Sequence, residues 1–80
     1  MHQVLEDDVV KITWLNVAGA DGYEIIRRSP DEEKWKRLSS AIRNPVYLDL
    51  HAPKGELTYR VRATNRHGGG KWSAPLVVTV

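Results

Sequence analysis

The chain has no cysteine. No disulfide can staple it, and no thiolate can bind zinc or attack a substrate. The compartment stays open, because many extracellular modules also lack cysteine. Nor is there an apolar run near 18 residues, so no helical membrane span is expected. The first residues, Met1-His2-Gln3-Val4-Leu5-Glu6-Asp7-Asp8, contain no basic stretch followed by an apolar one and do not read as a signal peptide. An excess charge of one sign is missing too. The formal net charge is +2, too small to point to nucleic acid by itself.

What remains is short. Eighty residues make a single domain. Such a chain buries roughly 60% of its unfolded surface, so its core is only just sufficient. An active-site cleft would compete with that core for the few large apolar side chains. The strand pattern starts near the first residue and runs to the last. That is the expectation for a module excised from a larger multidomain protein, with Met1 added for expression.

The strongest signal is period two. Val10, Ile12 and Trp14 alternate with Lys11 and Thr13. Tyr23 and Ile25 flank Glu24. Leu57, Tyr59, Val61 and Ala63 alternate with Thr58, Arg60, Arg62 and Thr64. Each run predicts an antiparallel strand with one apolar and one wet face. Turn residues separate the runs: Gly19–Gly22, Ser29–Glu33, Asn44-Pro45, Ala52–Gly55 and Asn65–Gly70. Several short strands at this spacing predict an all-β, two-sheet antiparallel sandwich. Residues 31–41 fit a short helix or a strand; the Pro30 turn and the flanking strands favour a strand around Lys34–Leu38. The last strand is expected over Trp72–Val80.

Four segments in order carry a resemblance: Val10-x-Ile12-x-Trp14, Gly22-Tyr23-Glu24-Ile25, Tyr59 through Asn65, and Gly70-Lys71-Trp72-Ser73-Ala74-Pro75. Together they resemble a fibronectin type III domain over residues 9–80. Tyr47-x-Asp49 before Pro53-x-Gly55 is similar to variants of bacterial secreted and cell-surface multidomain proteins. The resemblance implies an immunoglobulin-like sandwich with a short first strand. Its core would be built around Trp14, Tyr23, Ile25, Tyr59, Val61 and Ala63. It also implies an extracellular or cell-surface setting. Three departures stand out. Leu57 occupies the place of the family's corner tyrosine, so the corner hydrogen bond is missing or replaced. The first strand is truncated to His2–Leu5. No Arg-Gly-Asp occurs, so integrin binding does not carry over.

Catalysis finds little support. His2, His51 and His67 are far apart and lack metal-like spacing. Asp7-Asp8 and Asp31-Glu32-Glu33 are adjacent acids in polar turns, not carboxylates facing each other across a cleft. Ser39-Ser40 has no base placed beside it. Gly68-Gly69-Gly70 opens a strand, whereas a phosphate loop opens a helix. No Asn-x-Ser/Thr acceptor is present. Neither a catalytic residue, a cofactor nor a metal is expected.

Binding is argued from charge distribution. From Lys34 onward nine bases face two acids, Asp49 and Glu56. Before Lys34 three bases face eight acids. Alternation puts Glu24, Ile26 and Arg28 on the outer face of one strand and Arg60 and Arg62 on that of another; the resemblance implies that these strands pair, making one surface with the Lys34–Arg37 strand at its edge. The candidate face is Arg28, Lys36, Arg60, Arg62 and Trp72. It reads either as an anion-binding surface or as a solvated sheet face. Trp72 is expected to lie beside Arg60 or Arg62, stacked under a guanidinium or open to a sugar. Trp35 either caps the core or exposes a stacking face. At the loop end, Asp21, Arg66 and His67 are the candidate contacts among small residues. The sequence thus predicts a non-catalytic spacer or protein-interaction module, monomeric in isolation, whose partners are another protein or neighbouring domains. The alternative is an accessory carbohydrate- or polyanion-binding module.

Overall fold

The computed structural model describes the backbone of His2–Val4 and residues 9–80. Asp7-Asp8 and the side chain of His2 lie outside the described residues. The described residues form eight strands: β1 (His2–Val4), β2 (Val10–Thr13), β3 (Gly22–Arg28), β4 (Lys36–Ile42), β5 (Val46–Asp49), β6 (Glu56–Asn65), β7 (Gly68–Gly69) and β8 (Leu76–Thr79). They form two antiparallel sheets, one in the order β1-β2-β5 and the other in the order β4-β3-β6-β7, with β8 also paired to β6. The segment after the Pro30 turn is a strand, as expected, but displaced to Lys36–Ile42.

Alternation decides what the sandwich buries. Val10 and Ile12 of β2, Tyr23 and Ile25 of β3, Leu57 and Tyr59 of β6 and Val78 of β8 meet between the sheets. Trp14 sits one residue beyond β2, half-buried, with its ring 5.3 Å from that of Tyr23 in an edge-on arrangement. Such an aromatic pair contributes about 0.5–1.5 kcal/mol beyond its buried area. Val61 and Ala63 lie partly buried against the same cluster.

Leu57 is fully buried and pairs with Val78, so the corner position is filled by an aliphatic side chain. Two phenols elsewhere tie strands to neighbouring segments. Tyr23 donates to Asn16 Oδ1 at 2.8 Å and accepts from the Val17 N–H at 2.9 Å, pinning the β2–β3 loop. Tyr59 reaches across to β5 and donates to Asp49 Oδ2 at 2.7 Å.

The final strand is shorter than the alternation suggests. Residues 70–75 follow β6 without forming a regular ladder. The Gly70 N–H reaches the Ala63 carbonyl, and the Ser73 N–H reaches the Val61 carbonyl. The Val61 N–H then donates to the Ser73 hydroxyl instead of a backbone carbonyl. Pro75 supplies no N–H, so ladder pairing resumes only at Leu76. The glycine run is also more ordered than a plain loop. Thr64 pairs with Gly69 and Asn65 with Gly68, making a tight hairpin. Its turn needs φ +119° at Gly68, a conformation open to glycine.

The ends of the fold lie far apart. His2 is level with Ile12, towards the end that carries the β2–β3 loop and the β6–β7 hairpin. At the other end, Val80 and Gly55 exchange two backbone hydrogen bonds, of 2.8 and 3.0 Å. The longest dimension of the molecule is 35 Å.

Candidate interaction surface

The outer face of the larger sheet is set by register. Glu24 lies opposite Arg62, Ile26 opposite both Arg60 and Arg37, and Arg28 opposite Thr58. Residues opposite one another in a ladder project from the same face. Four arginines, Arg28, Arg37, Arg60 and Arg62, therefore share this face with two carboxylates, Glu24 and, at the start of β6, Glu56. Lys36 does not join them. It is paired with Arg27, and so projects from the other face beside Asp49, Tyr47 and His51. Arg37 takes the edge position on the outer face.

Two clusters result. In the first, Glu24 accepts from Arg62 Nε at 2.6 Å and pairs with Arg37 Nε at 2.8 Å. The Arg62 guanidinium carbon stands 4.4 Å over the ring centre of Trp72. Trp72 is thus stacked under a guanidinium and is not an open sugar platform, although it precedes the last strand. An outward position suggests solvation for Glu24, yet it is 4% exposed. Its two arginines fold over it and exclude water. The hairpin fits closely on top: a Cβ at Gly69 would fall 2.5 Å from the Arg62 guanidinium carbon.

In the second cluster, Arg28 lies 4.8 Å and Arg60 5.6 Å from the ring centre of Trp35. Trp35 therefore sits against the outer face under guanidinium groups and does not cap the core. Cation–π contacts of this kind contribute about 0.5–2 kcal/mol each. Neither arginine has a carboxylate partner among the described residues, and Arg60 Nε is buried without a hydrogen-bond acceptor.

A third polar group lies between the sheets. Arg27 continues the inward alternation of Tyr23 and Ile25, and Asp49 continues that of Tyr47. Arg27 and Asp49 meet at 2.6 Å, and the Tyr59 hydroxyl shares the same carboxylate oxygen. Burial, with the Asp49 hydrogen bond and charge, raises the Tyr59 pKa well above the ordinary tyrosine value. Tyr47 is raised too, mainly by burial and then by Asp49. Sequence reasoning missed this group, although alternation already aimed Arg27 and Asp49 inward.

The loop end collects the remaining candidates. Asp21 and Arg66 line one shallow cleft of about 370 Å³. His67 is exposed at the hairpin tip, where its N–H bonds Asn65 Oδ1 and its ring accepts from Arg66 Nε at 3.5 Å. Leu15, which the sequence did not single out, is 89% exposed beside an apolar cleft lined by Trp14, Val17 and Ala63. Among the described residues, no group of three or more His, Asp or Glu side chains is placed to hold a metal ion.

No family model matches the chain. Over 54 residues, 68% of its length, it is 35% identical to the Titin homolog of Caenorhabditis elegans. The match spans 0%, to the nearest percent, of that protein's length. A solved structure, the Fn3-like protein from Clostridium thermocellum, superposes with a TM-score of 0.76 at 21% identity. That superposition covers 86% of this chain and 73% of the other.

Proposed function

We propose, from the premise that this chain is a fibronectin type III-like β-sandwich, that it works as a non-catalytic spacer and interaction module within a larger protein. The observation that carries the reading is the placement of the two ends. The chain enters by β1 at the loop end and leaves by β8 at the opposite end. Modules joined in series through such ends line up and do not fold back. The match to a short stretch of a far longer protein supports the same reading.

The interaction half rests on the loop end, where Leu15, Val17, Asp21, Arg66 and His67 all stand exposed. An extracellular setting belongs to the same proposal and rests on family resemblance. Small-angle X-ray scattering on three copies joined in tandem tests the spacer role. The expected maximum dimension is roughly three times that of one domain, as for separately folded units in a row. A collapsed particle, close in length to one domain, overturns it.

A further inference from the structure

We propose that the Arg28–Arg60–Trp35 cluster is a binding site for the sulfate or carboxylate groups of an acidic polysaccharide lying along the outer sheet face. The inference is independent of the spacer role, since it concerns a face and not the ends.

Two unequal halves of that face carry it. Arg37 and Arg62 share the single negative charge of Glu24, so one of their two positive charges is compensated there. Arg28 and Arg60 touch no carboxylate among the described residues, and their contact is with the indole of Trp35. An aromatic ring orients a guanidinium without neutralising it. These two cations are therefore held in place while their charge stays available. Glu56 lies on the same face and Glu32 in the nearby turn, where it accepts from the Ser29 N–H at 3.0 Å, but neither forms an ion pair with Arg28 or Arg60.

Spacing then selects the ligand. Arg28 and Arg60 are diagonal neighbours on adjacent strands, which puts them roughly 7–8 Å apart, and their Cβ atoms somewhat closer. Arg62 follows Arg60 two residues along β6, about 7 Å further on. The result is a row of guanidinium groups on a flat surface, suited to a linear polymer with repeating negative charge. Arginine favours oxyanions because its planar fork donates two parallel hydrogen bonds. Nucleic acid fits less well. Single strands need open aromatic faces for base stacking, and the indoles of Trp35 and Trp72 already lie under guanidinium groups.

The test is calorimetric titration of the 80-residue chain with a heparin hexasaccharide at 50 and 300 mM NaCl. Binding is expected at low salt and should weaken at least tenfold at high salt. Two double variants accompany it. Arg28→Ala with Arg60→Ala should abolish binding. Arg28→Lys with Arg60→Lys keeps the charge and the aliphatic stems, and should lose several-fold only. Circular dichroism melting confirms that each variant folds. Arg43→Ala with Lys54→Ala, away from the face, should bind as the unmodified chain does. The proposal is overturned by no heat at 50 mM NaCl, or by equal loss in the distal and face variants. Tighter binding to a thymidine 12-mer or to phosphatidylserine vesicles than to the hexasaccharide also overturns it.

Discussion

Asp49 and Glu24 are both carboxylates at 4% exposure, and each is held by two partners. They are buried by different things. Asp49 is enclosed by the sandwich, with Arg27 from one strand and Tyr59 from another. Both partners are themselves buried: the Arg27 side chain is 8% exposed and Tyr59 is 1% exposed. Glu24 lies on the outside and is covered only by the side chains that pair with it. Of those, Arg37 is 65% exposed and Arg62 is 30% exposed, so both can turn to water. The same fractional exposure thus describes one charge held in a low-dielectric interior and another under a removable lid. Depth of enclosure, and not exposure alone, should set the energetic consequence of losing each.

The largest expected effect is at Asp49. Asp49→Ala leaves the Arg27 cation enclosed without its partner, which costs about 3–5 kcal/mol. Urea denaturation should show a large fall in midpoint, or no folded baseline. Replacing the whole group with apolar side chains (Arg27→Met, Asp49→Leu, Tyr59→Phe) should recover most of the loss, because no unpaired charge remains. Failure of the triple variant to recover would mean that the group does more than compensate itself.

Tyr59→Phe comes next. It removes one hydrogen bond to a charged acceptor, worth about 1.5–3 kcal/mol. It also has a pH signature. The folded state holds the Tyr59 proton more tightly than the unfolded chain does, whose tyrosines ionise near about pH 10. The stabilisation from this group is therefore complete below that pH and is lost as pH rises above it. Alkaline denaturation of the unmodified chain should steepen past that point. Tyr59→Phe should flatten the decline, leaving a smaller slope from Tyr47.

The smallest effect is expected at Glu24. Glu24→Gln removes the charge but leaves Arg37 and Arg62 free to reach solvent, so the loss should stay below about 1 kcal/mol. A thermal melt of this variant alongside Asp49→Ala breaks or confirms the comparison. Equal losses would show that cover by side chains isolates a charge as well as the core does.

Much of the sandwich is legible because alternation is a local property. Val10-Ile12, Tyr23-Ile25 and Leu57-Tyr59 each announce an inward face within a few residues. The polar groups are harder. Arg27 and Asp49 stand on inward positions, but 22 residues separate them, and only the pairing of sheet against sheet makes them partners. Glu24 reads as solvated when an outward position is equated with an exposed one. Its cover comes from Arg37 and Arg62, on two other strands. Lys36 groups with the arginine face in the sequence because the register of β4 against β3 cannot be read locally, and that strand also carries bulges. The stacking of Trp72 on Arg62 is within reach, since both are expected on neighbouring strands. The late start of the final ladder is also signalled, by the missing N–H of Pro75, but alternation alone runs straight through it.

The opposed placement of β1 and β8 has a mechanical consequence. A tether pulling on both ends loads each terminal strand along its own length against its antiparallel neighbour, β2 or β6. Hydrogen bonds loaded in that direction share the force and must fail together, whereas strands peeled from a single end lose their bonds in succession. The Gly55–Val80 backbone pair sits where the tension arrives.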